Sequence, residues 1–340
     1  MQKMLLKTNL RSNLTFTRFG GALTLGGLAM NTRTLALILM ACVCISCSEK
    51  PVEESIIKPK TYDLSPYSSE KPKKPIHLLF IHHSTGGQLL ADKGENKGEN
   101  CIYVSHSNGG GLRRLLEANN YIVHEASYHS IVGDKTDICD WHAKFRDYMD
   151  QILRCKHQDE FFADGTRNRI VIFKSCFPNN WIVSDGTPPG DPDACEKTLA
   201  NAQAAYREIL PYFKQHPDTL FVVMTAPPLA RPVQYKRDKI LELLKSITAR
   251  PDTLKKIGNR ARTFNTWLVD VENGWLKEYK LKNVVVFDYY DALTNHGQSN
   301  WSVYPTGDGA DSHPSSEGNV WVVHEFVPFL NSTVRRMGMN

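Results

Sequence analysis

The sequence predicts an α/β protein, a three-layer α/β/α sandwich on a mainly parallel five-stranded sheet. Three observations predict it. From Pro75 onward, short apolar runs alternate with longer amphipathic ones, as strands and helices do in this class. The short runs are β-branched or aromatic, the composition of strands buried on both faces. The segments between them are long enough to be the crossovers that parallel strands require.

The strand candidates, in order, are Ile76 to Ile81, Tyr121 to Glu125, Ile170 to Phe173, Leu220 to Thr225 and Asn283 to Phe287. The helix candidates are Leu112 to Asn119, Trp141 to Cys155, Asp193 to Gln215, Leu254 to Glu278 and Val320 to Phe329. Gly109-Gly110-Gly111, before the first of these helices, invites a phosphate-loop reading because glycines let backbone N–H groups approach an anion. The triplet lacks the Lys-Ser/Thr of a P-loop and the spacing of a dinucleotide fingerprint, so a surface loop and helix start is the plainer reading.

The chain has 340 residues, 41% apolar and 23% charged, with 22 Gly and 18 Pro, which is ordinary globular usage. All of the formal +5 charge comes from Lys3, Lys7, Arg11, Arg18 and Arg33, because residues 1 to 46 hold no acidic side chain. The remainder is neutral. Without net positive charge it lacks the counterion-release term that drives nucleic-acid binding, and no nucleic-acid partner is expected.

Residues 35 to 46 form an apolar run preceded by Arg33. A membrane-spanning helix needs about 20 apolar residues, so this run has the length of a signal peptide. Ile45-Ser46-Cys47 resembles the lipobox of bacterial lipoproteins, with Cys44 where that box prefers Leu. The resemblance implies cleavage before Cys47 and its lipidation, and hence a membrane anchor in the bacterial cell envelope, periplasmic or surface-exposed. Met30-Asn31-Thr32-Arg33 plus the apolar run makes a complete signal, so Met30 is the expected start. Residues 48 to 74, rich in Lys, Glu, Ser and Pro, read as a flexible tether, and 75 to 335 as one domain.

Of the eight cysteines, Cys101, Cys139, Cys155, Cys176 and Cys195 fall in that domain. Up to two disulfides could form with one thiol spare, and sequence does not supply the pairing. Cys44-Ile-Ser-Cys47 lies inside the targeting segment and is not a redox motif. No second ligand pair stands at metal-site spacing, and adjacent His82 and His83 project oppositely on a strand, so no metal is expected.

The first strand empties into His82-His83-Ser84-Thr85-Gly86-Gly87. Ligands bind outside the carboxyl ends of strands in open α/β sheets, which places the Ser84 hydroxyl where a nucleophile is expected. Its bland reading is a helix N-cap. Near the other end, Gly307-Asp308-Gly309-Ala310-Asp311-Ser312-His313-Pro314 sets an imidazole beside carboxylates, the base and orienting acid that a serine nucleophile needs. Cys176, at the end of the third strand, could instead be a thiol nucleophile with His313, although a buried or disulfide-bonded cysteine is the commoner case.

In this order the residues resemble the SGNH, or GDSL-type, hydrolase family, whose nucleophilic Ser follows the first strand and whose Asp and His stand together before the last helix. The resemblance covers most of residues 76 to 330. It includes Asn179 after the third strand, Thr225-Ala-Pro-Pro after the fourth, Asn265 in a helix and Asp288 at the end of the fifth. It implies a flavodoxin-like sandwich and a serine esterase without a cofactor, acting on small-molecule or glycan-linked O-acyl esters. Ser84 would be the nucleophile and His313 the base. Asp311 would be the acid, with Asp308 or a Ser-His dyad as substitutes, because the family's Asp position holds Ala310. Oxyanion donors would be the Ser84 N–H and the Asn179 amide, with Ser175 as runner-up, and Gly133 is the best candidate that the segment after the second strand offers. The family's Gly-Asp-Ser is here His82-His83-Ser84. That departure keeps a rival open, a non-catalytic glycan-binding lipoprotein on a degenerate hydrolase fold. An α/β-hydrolase is disfavoured, because His82 stands at the first Gly of Gly-x-Ser-x-Gly. Trp181, Trp301 and Tyr304 could stack on sugars or simply pack loops. His82, His83, Asn265 and Asp288 read as structural hydrogen-bonders.

Overall fold

A computed structural model describes residues 59 to 232 and 251 to 339. The signal segment 1 to 46, Met30 and Cys47 lie outside the described residues. Among those described, no helix is long and apolar enough to cross a membrane.

The β-branched runs form strands where the sequence puts them: β1 (Ile76–Ile81), β5 (Tyr121–Ala126), β8 (Ile170–Phe173), β9 (Leu220–Met224) and β10 (Val284–Phe287). Among the described residues the sheet has seven strands, not five, in the order β10-β9-β8-β1-β5-β6-β7. The additions are β6 (Cys155–His157) and β7 (Glu160–Phe161), short edge strands with a polar turn between them. Every pairing is parallel except β6 with β7. A separate small sheet, in the order β2-β4-β3, joins β2 (Asp92–Lys93), β3 (Lys97–Glu99) and β4 (Ile102–His106). A hairpin pairs β11 (Pro305–Thr306) with β12 (Asp311–Pro314).

Side chains alternate along each central strand, and the two sets fill two cores. Leu79, Ile81, Val171, Phe173, Phe221 and Val223 face one core, packed beneath α3 (Asp140–Asp147), α4 (Met149–Arg154), α5 (Leu199–Lys214) and α6 (Pro251–Val269). Leu78, Phe80, Ile170, Ile172, Val222 and Met224 face the other, under α1 (Ser84–Leu90), α2 (Leu112–Ala118), α7 (Tyr289–Ala292) and α8 (Ser316–Met337). The three layers follow from this alternation. The expected single helix over 141 to 155 is two, interrupted at Tyr148, whose φ of −123° and ψ of 17° leave the helical region.

The glycine triplet is a helix start. Gly110 N–H donates to Gln88 O and Gly111 N–H to Ala91 O, and Gly111, at φ 75°, caps α2 from the left-handed region. With these N–H groups engaged, no anion cradle remains there. Gly87 is required for a different reason: a Cβ there would stand 1.9 Å from Cys101 O. Gly87→Ala is therefore expected to force α1 off the turn before β4 and cost about 1–3 kcal/mol, read from a urea melt. An unchanged midpoint would show that the turn yields freely.

The tether is shorter than the sequence suggests, because residues 59 to 74 are docked on the domain. Val271 N–H donates to Lys60 O, Tyr62 O–H to Val284 O, Ser332 O–H to Tyr67 O, and the Asn331 amide to Ser69 O. Arg336 stacks over the Tyr62 ring at 4.3 Å. This strap crosses the amino ends of the strands before entering β1.

Candidate active site

Strand order reverses at β1, which lies between β5 and β8, and in such sheets the crevice at the carboxyl ends of those strands is the ligand site. Ser84 opens α1 there. The cap of α1 is His83, without a side-chain bond, so Ser84 is not the N-cap; its hydroxyl is turned elsewhere. His313 Nε2 stands 3.1 Å from Ser84 Oγ, and His313 Nδ1 stands 2.7 Å from Asp311 Oδ1. Residues 229 positions apart in the chain thus meet.

The β11–β12 hairpin fixes the imidazole. Thr306 O–H donates to His313 O, the Ala230 N–H holds Ser312 Oγ, and Phe177 sets its ring edge-on to His313 at 4.9 Å. Asp311 also accepts the His313 backbone N–H at 3.0 Å. Burial alone would raise the Asp311 carboxyl, but these hydrogen bonds bring it below its ordinary value. Asp308 sits in the turn Gly307–Gly309, outside this chain of bonds. A hydroxyl, an imidazole and a carboxylate in this order can pass a proton from oxygen to nitrogen while the ring keeps one tautomer.

The expected oxyanion donors are placed differently. The Asn179 amide donates to Asp137 Oδ1 and Cys176 O, and its oxygen accepts from Ile138 N–H. It ties the loop at 137–138 to β8 and has no hydrogen left for substrate. Gly133 N–H is taken by Ser130 Oγ at 2.9 Å, and the Gly133 carbonyl accepts from His83. Both assignments are corrected by these competing partners. Ser175 Oγ accepts from Trp141 Nε1 and is buried, which removes the runner-up too. The Ser84 N–H, first in its helix, has no intrahelical acceptor and remains.

The residues read as structural do structural work. Asp288 caps α7 and accepts from Thr225 O–H, and burial pushes its carboxyl up to about 7. Asn265 donates to Asn180 Oδ1, and Asn180 in turn donates to Ala226 O and Pro227 O. His82 is fully buried, 3.0 Å from Glu125 Oε2, and Arg113 pairs with the same carboxylate. Trp301 and Tyr304 pack against Gly258 and Gly318, whereas Trp181 is 39% exposed beside the short helix that carries Phe177.

One neighbour of Ser84 escaped the sequence, the fully buried Lys174, while Cys176, there a rival nucleophile, sets its Sγ 3.8 Å from Ser84 Oγ. The structure supplies the pairing that the sequence leaves open: Cys139 and Cys195 form one disulfide, while Cys101, Cys155 and Cys176 are free.

His83 stacks on Tyr128 and His124 on His77, and burial lowers both His83 and His124 from 6.5 to about 4. Because the unfolded rings take up protons first, their contribution to stability is full above about pH 6.5 and is lost as pH falls toward about 4. Urea midpoints are expected to drop across that window, with a smaller drop in His124→Phe. A flat profile would contradict the burial of neutral rings.

The structure has the expected α/β/α layering on a mainly parallel sheet. No family model matches the chain, and no curated protein sequence does. Solved structures align with it at low identity. One, from Bacteroides fragilis, is provisionally assigned as an acylhydrolase: 10% identity, 79% of this chain and 91% of that one, TM-score 0.38. A provisionally assigned GDSL-like lipase from Parabacteroides merdae gives 13% identity, 79% and 98% coverage, and a TM-score of 0.37. A variant of an acetyl xylan esterase from Geobacillus stearothermophilus gives 14%, 79% and 97%, and 0.34.

Proposed function

We propose that this chain is a serine esterase that hydrolyses carboxylic esters, with O-acyl groups on glycans as the favoured substrates, presented from a lipid anchor at Cys47 in the bacterial envelope. The observation that carries the reading is the continuous hydrogen-bond line from Ser84 Oγ through His313 to Asp311. In the acylation step Ser84 Oγ attacks the ester carbonyl as His313 Nε2 takes its proton. Asp311 accepts the Nδ1–H and stabilises the imidazolium that forms. The Ser84 N–H faces the developing oxyanion, and His313 returns the proton to the leaving alcohol. Water then repeats the sequence on the acyl-enzyme. The residues need no cofactor for these steps.

The glycan preference rests on the openness of the site. The His313 and Asp311 side chains are 26% and 49% exposed, so a bulky alcohol can lie across the rim without entering a tunnel. Exposed Trp181 offers a face for a sugar ring. The engagement of Asn179 and Gly133 favours the rival, a glycan-binding lipoprotein without catalysis. A fluorophosphonate probe separates the two: labelling at Ser84 with release of acetate from acetylated sugars supports the esterase, and glycan binding without labelling supports the rival.

A further inference from the structure

The sulfur of Cys176 is surrounded by donors. Lys174 Nζ lies 3.6 Å from it and also donates to Thr85 Oγ1. Since Thr85 Oγ1 accepts that bond, its own proton is free to point at Cys176 Sγ, 3.5 Å away, and the Thr85 backbone N–H is directed there as well. Ser84 Oγ lies 3.8 Å away, with its one proton directed at His313 Nε2. A neutral thiol is a poor acceptor, whereas a thiolate suits donors converging from several sides.

The charge balance leads to the same conclusion. Lys174 is fully buried, and the ionisable groups that act on it are thiols, Cys176 first and then Cys101, not carboxylates. A buried ammonium needs a counter-ion. The titratable groups facing Cys176 are Lys174 at the end of β8, Cys101 before β4, Tyr128 after β5 and Tyr289 in α7, with His313 beyond Ser84. Lys174 is the amine among them: burial lowers it from its ordinary value, and Cys176 acts in the opposite direction, favouring the charged form. Burial raises the Cys176 thiol, and Lys174 with the Thr85 donors more than offsets this and holds it below the ordinary thiol value. The other free cysteines differ: burial raises Cys101, and Cys155, buried and donating to Gln158 O, is pushed up to about 12.

We propose that Cys176 is held as a thiolate by Lys174 and is a covalent modification site for small disulfides, whose attachment there closes access to Ser84. The thiolate attacks one sulfur of R–S–S–R, a new S–S bond forms, the old one breaks, and RS⁻ leaves to be protonated by solvent. The attached group then occupies the space beside Ser84 Oγ that an acyl group must cross. A free thiol reduces the bond and reopens the site. Cys176 is partly exposed as a residue while burial acts on its thiol, so a small reagent that enters beside Ser84 is what the proposal requires. The Cys139–Cys195 bond shows that this chain accommodates an oxidised pair while keeping Cys176 free.

The closure of Ser84 rests on its reading as a nucleophile, whereas the reactivity of Cys176 does not, and the experiment separates them. The full-length protein is treated with hydroxyethyl disulfide, the modified cysteines are mapped by mass spectrometry, and Ser84 is probed with a fluorophosphonate. The expected result is modification of Cys176 ahead of Cys101 and Cys155, loss of Ser84 labelling, and recovery with dithiothreitol. Cys176→Ala is expected to label at Ser84 whether or not the disulfide is present. Lys174→Met should slow modification roughly tenfold or more, one unit of thiol pKa being a tenfold change in thiolate at neutral pH, and Lys174→Arg should restore it. Cys176 reacting no faster than Cys101, an unchanged rate in a folded Lys174→Met, or undiminished Ser84 labelling after Cys176 is modified would each overturn the proposal. If untreated protein never takes the fluorophosphonate, the esterase reading fails, and the relative cysteine rates still decide the thiolate.

Discussion

Ser84→Ala is expected to lower ester hydrolysis by about 10⁴-fold or more and to abolish fluorophosphonate labelling, with His313→Ala close behind. The two act as one unit, so the double variant should be scarcely slower than either single one. The loss should fall on kcat, because neither side chain is needed for the alcohol part of the substrate to settle on the rim. Asp311→Asn should be milder, roughly 10²-fold, because this carboxylate is half exposed and water can partly replace it. Asp308→Asn should leave the rate unchanged, since Asp308 makes no bond to the imidazole. If Asp308→Asn were the more damaging of the two, the proton path drawn here would be wrong. Circular dichroism on each variant separates lost chemistry from lost structure.

Removing the Cys139–Cys195 disulfide, by Cys139→Ala with Cys195→Ala, is expected to cost about 2–4 kcal/mol. The bond closes a loop across a sequence separation of 56, for which chain entropy alone gives about 4 kcal/mol, and native-state relaxation reduces the measured figure. The effect should also be local. The bond joins the residue before α3 to the stretch that leads into α5 and lies beside Asn179, whose amide secures the 137–138 loop. Hydrogen exchange should therefore accelerate first at Ile138. Unchanged stability would mean that the Asn179 bonds hold this region without the cross-link.

The strands were legible because Ile170-Val-Ile-Phe173 and Val284-Val-Val-Phe287 have no other good place than the middle of a sheet. That Ser84, His313 and Asp311 could meet was legible from their residue types and from their positions at the carboxyl ends of strands. The oxyanion donors were not. Whether the Asn179 amide is free depends on Asp137 and Ile138, about 40 positions upstream, and no local pattern reports that competition. Lys174 was missed for a related reason: a lysine at the end of a strand reads as solvent-facing until a thiol and a threonine hydroxyl close over it. The β6–β7 hairpin is too short and too polar for periodicity to reveal. The strap from residue 59 is anchored by carbonyls and a stacked tyrosine, in a composition that otherwise signals disorder.

That strap gives the molecule a direction. Residue 59 lies toward the amino ends of the strands, opposite to the carboxyl ends that bear Ser84, so a support fixed at residue 59 is expected to leave Ser84 facing away from it. Immobilised on a bead or a bilayer by that route, the protein should treat long polymeric esters much as it does in free solution; fastened through the opposite pole, it should lose them first.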